Sequence, residues 1–327
     1  IEKAYKAMRK NAFESPADDK DYKNGMGRRA LQSYLKYGYI PLEDSVPDAF
    51  HTKEQVSRTL EYAYDDFVLS QVAKLLQKEE DYNVLSARAQ NYRNVIDPRT
   101  GYAQGRHADG TFLKDQNAFQ FTKFITEGAP CHYTWYVPHD PYGLMEYMGG
   151  KEKFALKLDS MFSEHRYWHG NEPCHQVAFM FNYAGEPWKT QQAIRHIMET
   201  EYLNAPGGLS GNDDAGQMSA WYIFASLGFY PVCPGSPFYV LASPSFPKAV
   251  LHLENGKSFI LQAENASEEN IYIQKVTLNG KAYTKNYISH KDIIAGGEMV
   301  FTMGNTPNKT WGNTPEDCPP SLIEVAE

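Results

Sequence analysis

The stretch EPCHQVAFMFNYAGEPWKTQQAIRHIMETEY, residues 172–202, decides how the long first part of this chain is read. Pro173 and Pro187 each stand where the first position of a helix belongs, and Gly185 stands where the first helix should stop. Together they predict an αα-hairpin. Working outward, residues 54–77 place Val56, Leu60, Ala63, Phe67, Val72 and Leu75–Leu76 three to four apart, the period of an amphipathic helix. Residues 80–96 and 151–164 repeat the pattern. Residues 213–227 carry Met218, Trp221, Tyr222, Phe224, Ala225 and Leu227, and a helix apolar on every side is expected to be buried on every side. About nine helices in antiparallel succession predict a mostly α chain built as a layered α-barrel rather than a four-helix bundle.

The texture changes at Pro231-Val232-Cys233-Pro234-Gly235. Beyond it, FYVLAS (238–243), AVLHL (249–253), SFILQAE (258–264), IYIQKVTLNG (271–280) and EMVFTMG (298–304) read as short antiparallel strands. Glu254-Asn255-Gly256 and Asn279-Gly280 supply turns between them. The expected organisation is a helical region over 1–232, a small antiparallel β-domain over 233–310 and an irregular tail over 311–327.

The composition, 42% hydrophobic and 22% charged, is that of a folded globular protein. A formal charge of −8 offers no basic excess with which to displace counterions from a nucleic acid, so no nucleic-acid partner is expected. No apolar run approaches the roughly 20 residues needed to span a bilayer. The opening IEKAYKAMRKNAF is charged and amphipathic, unlike a signal peptide, and a start at Ile reads as a processed or truncated chain. Cys131, Cys174, Cys233 and Cys318 form no C-x-x-C. Nucleophile-elbow, dinucleotide and Walker motifs are absent, since GLSGN holds Ser210 in the wrong frame. Asn265-Ala266-Ser267 and Asn308-Lys309-Thr310 match glycosylation acceptors, triplets that also arise by chance.

Three segments concentrate chemistry. GGLSGNDDAGQMSAW (207–221) sets Asn212, Asp213 and Asp214 at the mouth of an apolar helix, where Asn212 suits a cap and Asp213 the positive helix end. FITEGAPCHYTWYVPHDPYGL (124–144) packs Glu127, His132, Trp135, His139 and Asp140 into a Gly- and Pro-broken loop, with Asp140 also placed to cap a helix starting at Pro141. HRYWHGNEPCHQ (165–176) holds His165, His169 and His175, but without H-E-x-x-H spacing; Asn171 and Glu172 suit a hard, oxygen-seeking cation better than zinc suits the histidines. Separated carboxylates on loops, flanked by aromatics, are the kit for glycosidic hydrolysis: one acid protonates the leaving oxygen and the other activates water.

NDDAGQMSAWYIFASLGFYPVCPGS, TEGAPCHYTWYVPHD and HGNEPCHQVAFMFNYAGEPWKTQ, taken together, resemble the calcium-dependent, exo-acting α-mannosidases of glycoside hydrolase family 92 from about residue 27 to the β-region. The resemblance implies an (α/α)6-type helical barrel, incomplete at its N-terminus, since an N-terminal β-sandwich and the early barrel helices of such a protein are absent from this chain. It implies hydrolysis of terminal α-linked mannose from a mannose-containing oligosaccharide or N-glycan, with inversion and with the α-1,2 linkage as first expectation. Glu127 matches the general acid and Asp214 the general base, the two facing each other across roughly 6.5–9.5 Å. Asn212 stands where a second carboxylate is usual. Calcium (Ca2+) is implied as cofactor, with Asn171 and Glu172 as candidate ligands and contact with the leaving-group sugar as the alternative for Glu172. The sugar-contact candidates are His132, Trp135, His139, Asp140, His169 and Asp213. Glu127-Gly128-Ala129-Pro130-Cys131 departs from the family's E-G-N-A-W, near the substrate mouth. An exo-mannosidase of another linkage (α-1,3, α-1,6 or mannose-phosphate) and an inactive glycan-binding fragment are the alternatives. Glycan substrates imply an extracytoplasmic location, whether periplasmic, surface-attached or secreted.

Overall fold

The computed structural model of the protein describes residues 1–16, 18–47, 49 and 51–320. The last part of the expected irregular tail, 321–327, lies outside the described residues. The chain forms two compact units, one over Ile1–Met148 and the other from Gly149 onward.

The first unit is helical: α1 (Glu2–Phe13), α2 (Asp19–Lys23), α3 (Leu31–Tyr37), α4 (Gln55–Leu75), α5 (Glu79–Arg88), α6 (Pro130–Tyr133) and α7 (Pro141–Tyr147), with a two-stranded ribbon of β1 (Ile96–Asp97) and β2 (Tyr102–Ala103). α4 is its axis. Val56, Leu60, Ala63 and Phe67 are buried along it as the spacing predicted, but Leu75, the last helical residue, is 68% exposed. Leu69 and Ala73 of α4 pack with Tyr5, Ala12 and Leu85, which ties α1 and α5 to the axis. Expected as one helix, residues 80–96 divide into α5 and a tighter 3-10 run over Ala89–Val95. Three acids, Glu79, Glu80 and Asp81, occupy the positive first turn of α5. Asp81 also accepts from Nε and Nη2 of Arg9 at 2.6 and 3.0 Å. Deeper in, Asp66 of α4 is fully buried and accepts from Arg28 at 2.6 Å and from Arg88 at 2.7 and 2.9 Å.

The second unit joins α8 (Lys151–Ser163), α9 (Pro187–Thr200), α10 (Gln217–Leu227) and α11 (His290–Ile294) to the remaining strands. The hairpin predicted over 172–202 is half correct. α9 starts at Pro187 after Gly185 turns the chain at φ +66°. The first arm is instead two 3-10 runs, Glu172–Cys174 and Val177–Asn182, bonded i to i−3. Residues 173–185 are buried throughout, and Val177, Phe179, Phe181, Asn182 and Tyr183 have weak intrinsic preference for the α-helix, so packing sets the winding. α10 departs from expectation as well. Met218, Trp221 and Ala225 are buried, but Tyr222 and Ile223 are 37% and 59% exposed, so its apolar composition does not mean burial all round.

β3 (Phe229–Tyr230), β4 (Phe238–Leu241) and β9 (Tyr287–Ser289) make one sheet. β5 (Lys248–His252), β6 (Ser258–Glu264), β7 (Tyr272–Leu278), β8 (Lys281–Ala282) and β10 (Gly297–Gly304) make another, in the order β5-β6-β10-β7-β8. Met299, Phe301 and Met303 alternate inward along β10 and meet Phe259, Leu261 and Ile273 in the core. Asn279 and Gly280, at φ +51° and +76°, form the tight β7–β8 turn that Asn-Gly predicted. The expectation of antiparallel strands fails at one place. β10 runs parallel to β6 and antiparallel to β7, because the chain returns through β9 and α11 to insert between them. Side-chain alternation is the same in either direction, so the pattern alone does not report it.

Candidate active site

In the first unit, Glu127 lies on a turn fixed from both sides. The Thr126 N–H donates to Ser57 Oγ at 2.7 Å in the first turn of α4, and the Gly128 carbonyl accepts from Thr122 N–H at 3.3 Å. Glu127 itself is exposed and held at φ +50°. A left-handed backbone on a residue with a Cβ is strained, and fixed surroundings keep it there. Immediately after, the Ala129 N–H donates to His132 Nδ1 at 3.1 Å, which leaves the neutral ring's proton on Nε2.

The other expected residues of this block are internal. Trp135 and His139 are fully buried. His139 stacks on Tyr64 and Phe67 and shares a 2.9 Å hydrogen bond with the Ala89 carbonyl through Nε2, and burial pushes its pKa down to about 4. Asp140 caps α7 through Gly143 N–H at 2.9 Å and accepts from Tyr92 Oη at 2.7 Å and Arg93 at 3.4 Å. Asp140 therefore makes the helix cap that the sequence suggested. Tyr92 and Asp140 also crowd Gly143, where an added Cβ would fall 2.1 Å from Asp140 Oδ2. His132 is buried too, at 7% exposure.

In the second unit, the acidic loop and the Gly170-Asn171-Glu172 block meet by backbone contact. A Cβ on Gly211 would lie 2.4 Å from the Gly170 carbonyl oxygen, and one on Gly170 would lie 2.7 Å from that of Ser210. Only glycines permit this approach, which sets Asn171 and Glu172 beside Asn212–Asp214. Asp214, Ala215 and Gly216 then turn left-handed in succession at φ +42°, +58° and +95°. That turn brings Asp213 Oδ1, not Asn212, onto the Ser219 N–H at 2.9 Å, so Asp213 serves the helix end and the cap expected of Asn212 is not made. Asn212, Asp213 and Asp214 are all exposed.

His169 is fully buried. Its Nδ1 meets Tyr167 Oη at 2.7 Å and its Nε2 meets Tyr202 Oη at 2.6 Å, and burial, then His175, lowers its pKa to about 2. Asn171 is buried and Glu172 half-buried. Among the described residues no group of three or more His, Cys, Asp or Glu gathers as a metal centre. The four cysteines are buried, and no disulfide forms among the described residues. Nor is any helix among the described residues long and apolar enough to cross a membrane.

One acidic group escaped the sequence reading. Glu61 and Asp65 stand i, i+4 on α4, continuing the face begun by Ser57. Burial, then the charge of Asp65, raises the Glu61 carboxyl to about 7, while a hydrogen bond with Tyr136 works against the rise. The available signal was two acids at helical spacing within an otherwise inward-facing helix.

Each unit thus presents an exposed carboxylate on a left-handed turn, Glu127 in the first and Asp214 in the second. Residues 1–305 match the glycosyl hydrolase family 92 catalytic domain, and the chain belongs to that family. An α-mannosidase of the family from Bacteroides thetaiotaomicron has 41% identity and a TM-score of 0.87, covering 98% of this chain and 42% of its own; it has also been solved with mannoimidazole. An inverting family 92 mannosidase from the same organism has 35% identity and a TM-score of 0.89, covering 99% of this chain and 46% of its own. An uncharacterised secreted glycosidase of Arthroderma benhamiae is 31% identical over 98% of this chain and 44% of its own length. The chain spans less than half the length of each of these relatives.

Proposed function

We propose that the protein carrying this chain hydrolyses terminal α-linked mannose from oligosaccharides or N-glycans, α-1,2 linkages first, with inversion, outside the cytoplasm. Membership of family 92 supports the reaction class, and the helical part is read as contributing to an (α/α)6 barrel. The observation that carries the residue roles is the left-handed backbone that holds both Glu127 and Asp214 with exposed carboxylates. Strained backbone persists where surrounding structure over-determines it, and it concentrates at functional sites. On this reading Glu127 donates its proton to the departing glycosidic oxygen. Asp214 takes a proton from the attacking water, and Asn212 holds that water through its amide without adding charge. The secreted relative from Arthroderma benhamiae supports the location.

Calcium is part of the same proposal. Asn171 and Glu172 would hold it, and the donor set fits in kind: an amide oxygen, a carboxylate, and a backbone drawn close at Gly170 and Gly211. A single carboxylate leaves neutral oxygens and water to complete such a shell. When bound, the ion would polarise and fix sugar hydroxyls. The test incubates the intact protein, before and after EDTA, with α-1,2-, α-1,3- and α-1,6-mannobiose. Glu127→Gln and Asp214→Ala should each lower kcat at least a thousandfold with the fold intact by circular dichroism. Mannose bound but never released by the wild type would replace hydrolysis with glycan binding. Full activity after EDTA, with no calcium recovered by atomic emission, removes the metal.

A further inference from the structure

We infer that Phe121 is the platform on which the leaving-group sugar stacks beside Glu127, a specificity residue that rests on the mannosidase reading above. The segment 117–122 runs back along 128–131 and is held there at both ends. Cys131 N–H donates to the Ala118 carbonyl at 2.9 Å, and Thr122 N–H donates to the Gly128 carbonyl at 3.3 Å. The second bond places Phe121 next to the turn that carries Glu127. The Phe121 ring is 65% exposed, and His132 supports it edge-to-face with centroids 6.1 Å apart. His132 is itself fixed by the Ala129 N–H. An aromatic ring so anchored meets a ligand at little cost in ordering.

A sugar has one face of C–H groups, and such a face buries well against an aromatic ring. A general acid sits at the glycosidic oxygen, so whatever lies beside it touches one of the two sugars joined there. In an exo-acting site the terminal sugar is enclosed, and the leaving group is the part that emerges toward solvent. An open ring beside Glu127 therefore fits the leaving group. Phe119, two residues earlier and 40% exposed, turns to Tyr102 instead, edge-on at 5.4 Å.

The experiment compares, in the intact protein, kcat/KM for the best mannobiose with kcat/KM for α-mannosyl fluoride, whose leaving group is not a sugar. Phe121→Ala should lower the ratio of the two roughly tenfold, chiefly through the mannobiose KM, and Phe121→Trp should restore it. Phe119→Ala should change the ratio less than about twofold. The inference falls if Phe121→Ala leaves the ratio unchanged, or if Phe119→Ala lowers it equally. A wild-type protein that hydrolyses neither substrate overturns the mannosidase reading itself, and the platform with it.

Discussion

Ala215 holds φ +58° between Asp214 at +42° and Gly216 at +95°. Each left-handed residue with a Cβ costs on the order of 1 kcal/mol or more, while glycine adopts the region freely. Ala215→Gly should therefore stabilise the protein by about 0.5 kcal/mol after the added freedom of the unfolded chain is counted. The urea midpoint checks this, and a lower midpoint would refute strain at that position. At this scale the sequence was informative about identity and less so about geometry. Glu127 and Asp214 were legible as separated acids on Gly-containing loops, and their exposure was not. The division of labour inside the loop, with Asp213 on the Ser219 N–H and Asn212 left outward, depends on three backbone angles that residue types only weakly constrain.

At the scale of elements, α4 organises the first unit, and Asp66 is its most committed side chain. It is fully buried and receives hydrogen bonds from Arg28, Arg88 and, at 3.2 Å, Tyr34. Removing one partner from a buried ionic cluster leaves uncompensated charge in low dielectric. Asp66→Ala should cost about 3–5 kcal/mol, read from urea unfolding. A loss below about 1 kcal/mol would show the two guanidinium groups to be hydrated. The helical period revealed α4, α8 and α9 because one face of each is buried. It misjudged residues 173–185, buried on all sides and therefore without a face to report, and it misjudged α10, where exposed Tyr222 and Ile223 look in sequence like core.

Across the whole molecule the two units should answer acid differently. In the second, burial lowers His169 to about 2 and His175 to about 4, below the ordinary value of about 6.5. The unfolded chain takes up protons below pH 6.5 that the folded chain refuses. Stability from these groups is complete above about 6.5 and falls toward pH 4, by about 1.4 kcal/mol per pH unit for each. In the first unit His139, lowered to about 4, acts in the same sense, while Glu61, raised to about 7, acts oppositely and offsets it. Hydrogen exchange at pH 7 and pH 5 should show opening free energies falling in α9 and β10 by several kcal/mol more than in α4. Equal losses in both would contradict this assignment.

The helices of the first part, the strands after Pro231, the two candidate acids and the family were legible in the sequence, because these reside in periodicity and in contiguous blocks. Tertiary structure alone decided that β10 inserts parallel to β6, that the arm over 173–185 winds as 3-10 turns, and that Gly170 and Gly211 touch. It also decided the internal hydrogen bonds of His139, Asp140 and His169. The reason is common to all of these: each depends on what lies opposite a residue across the fold, and a periodic pattern records only whether something does.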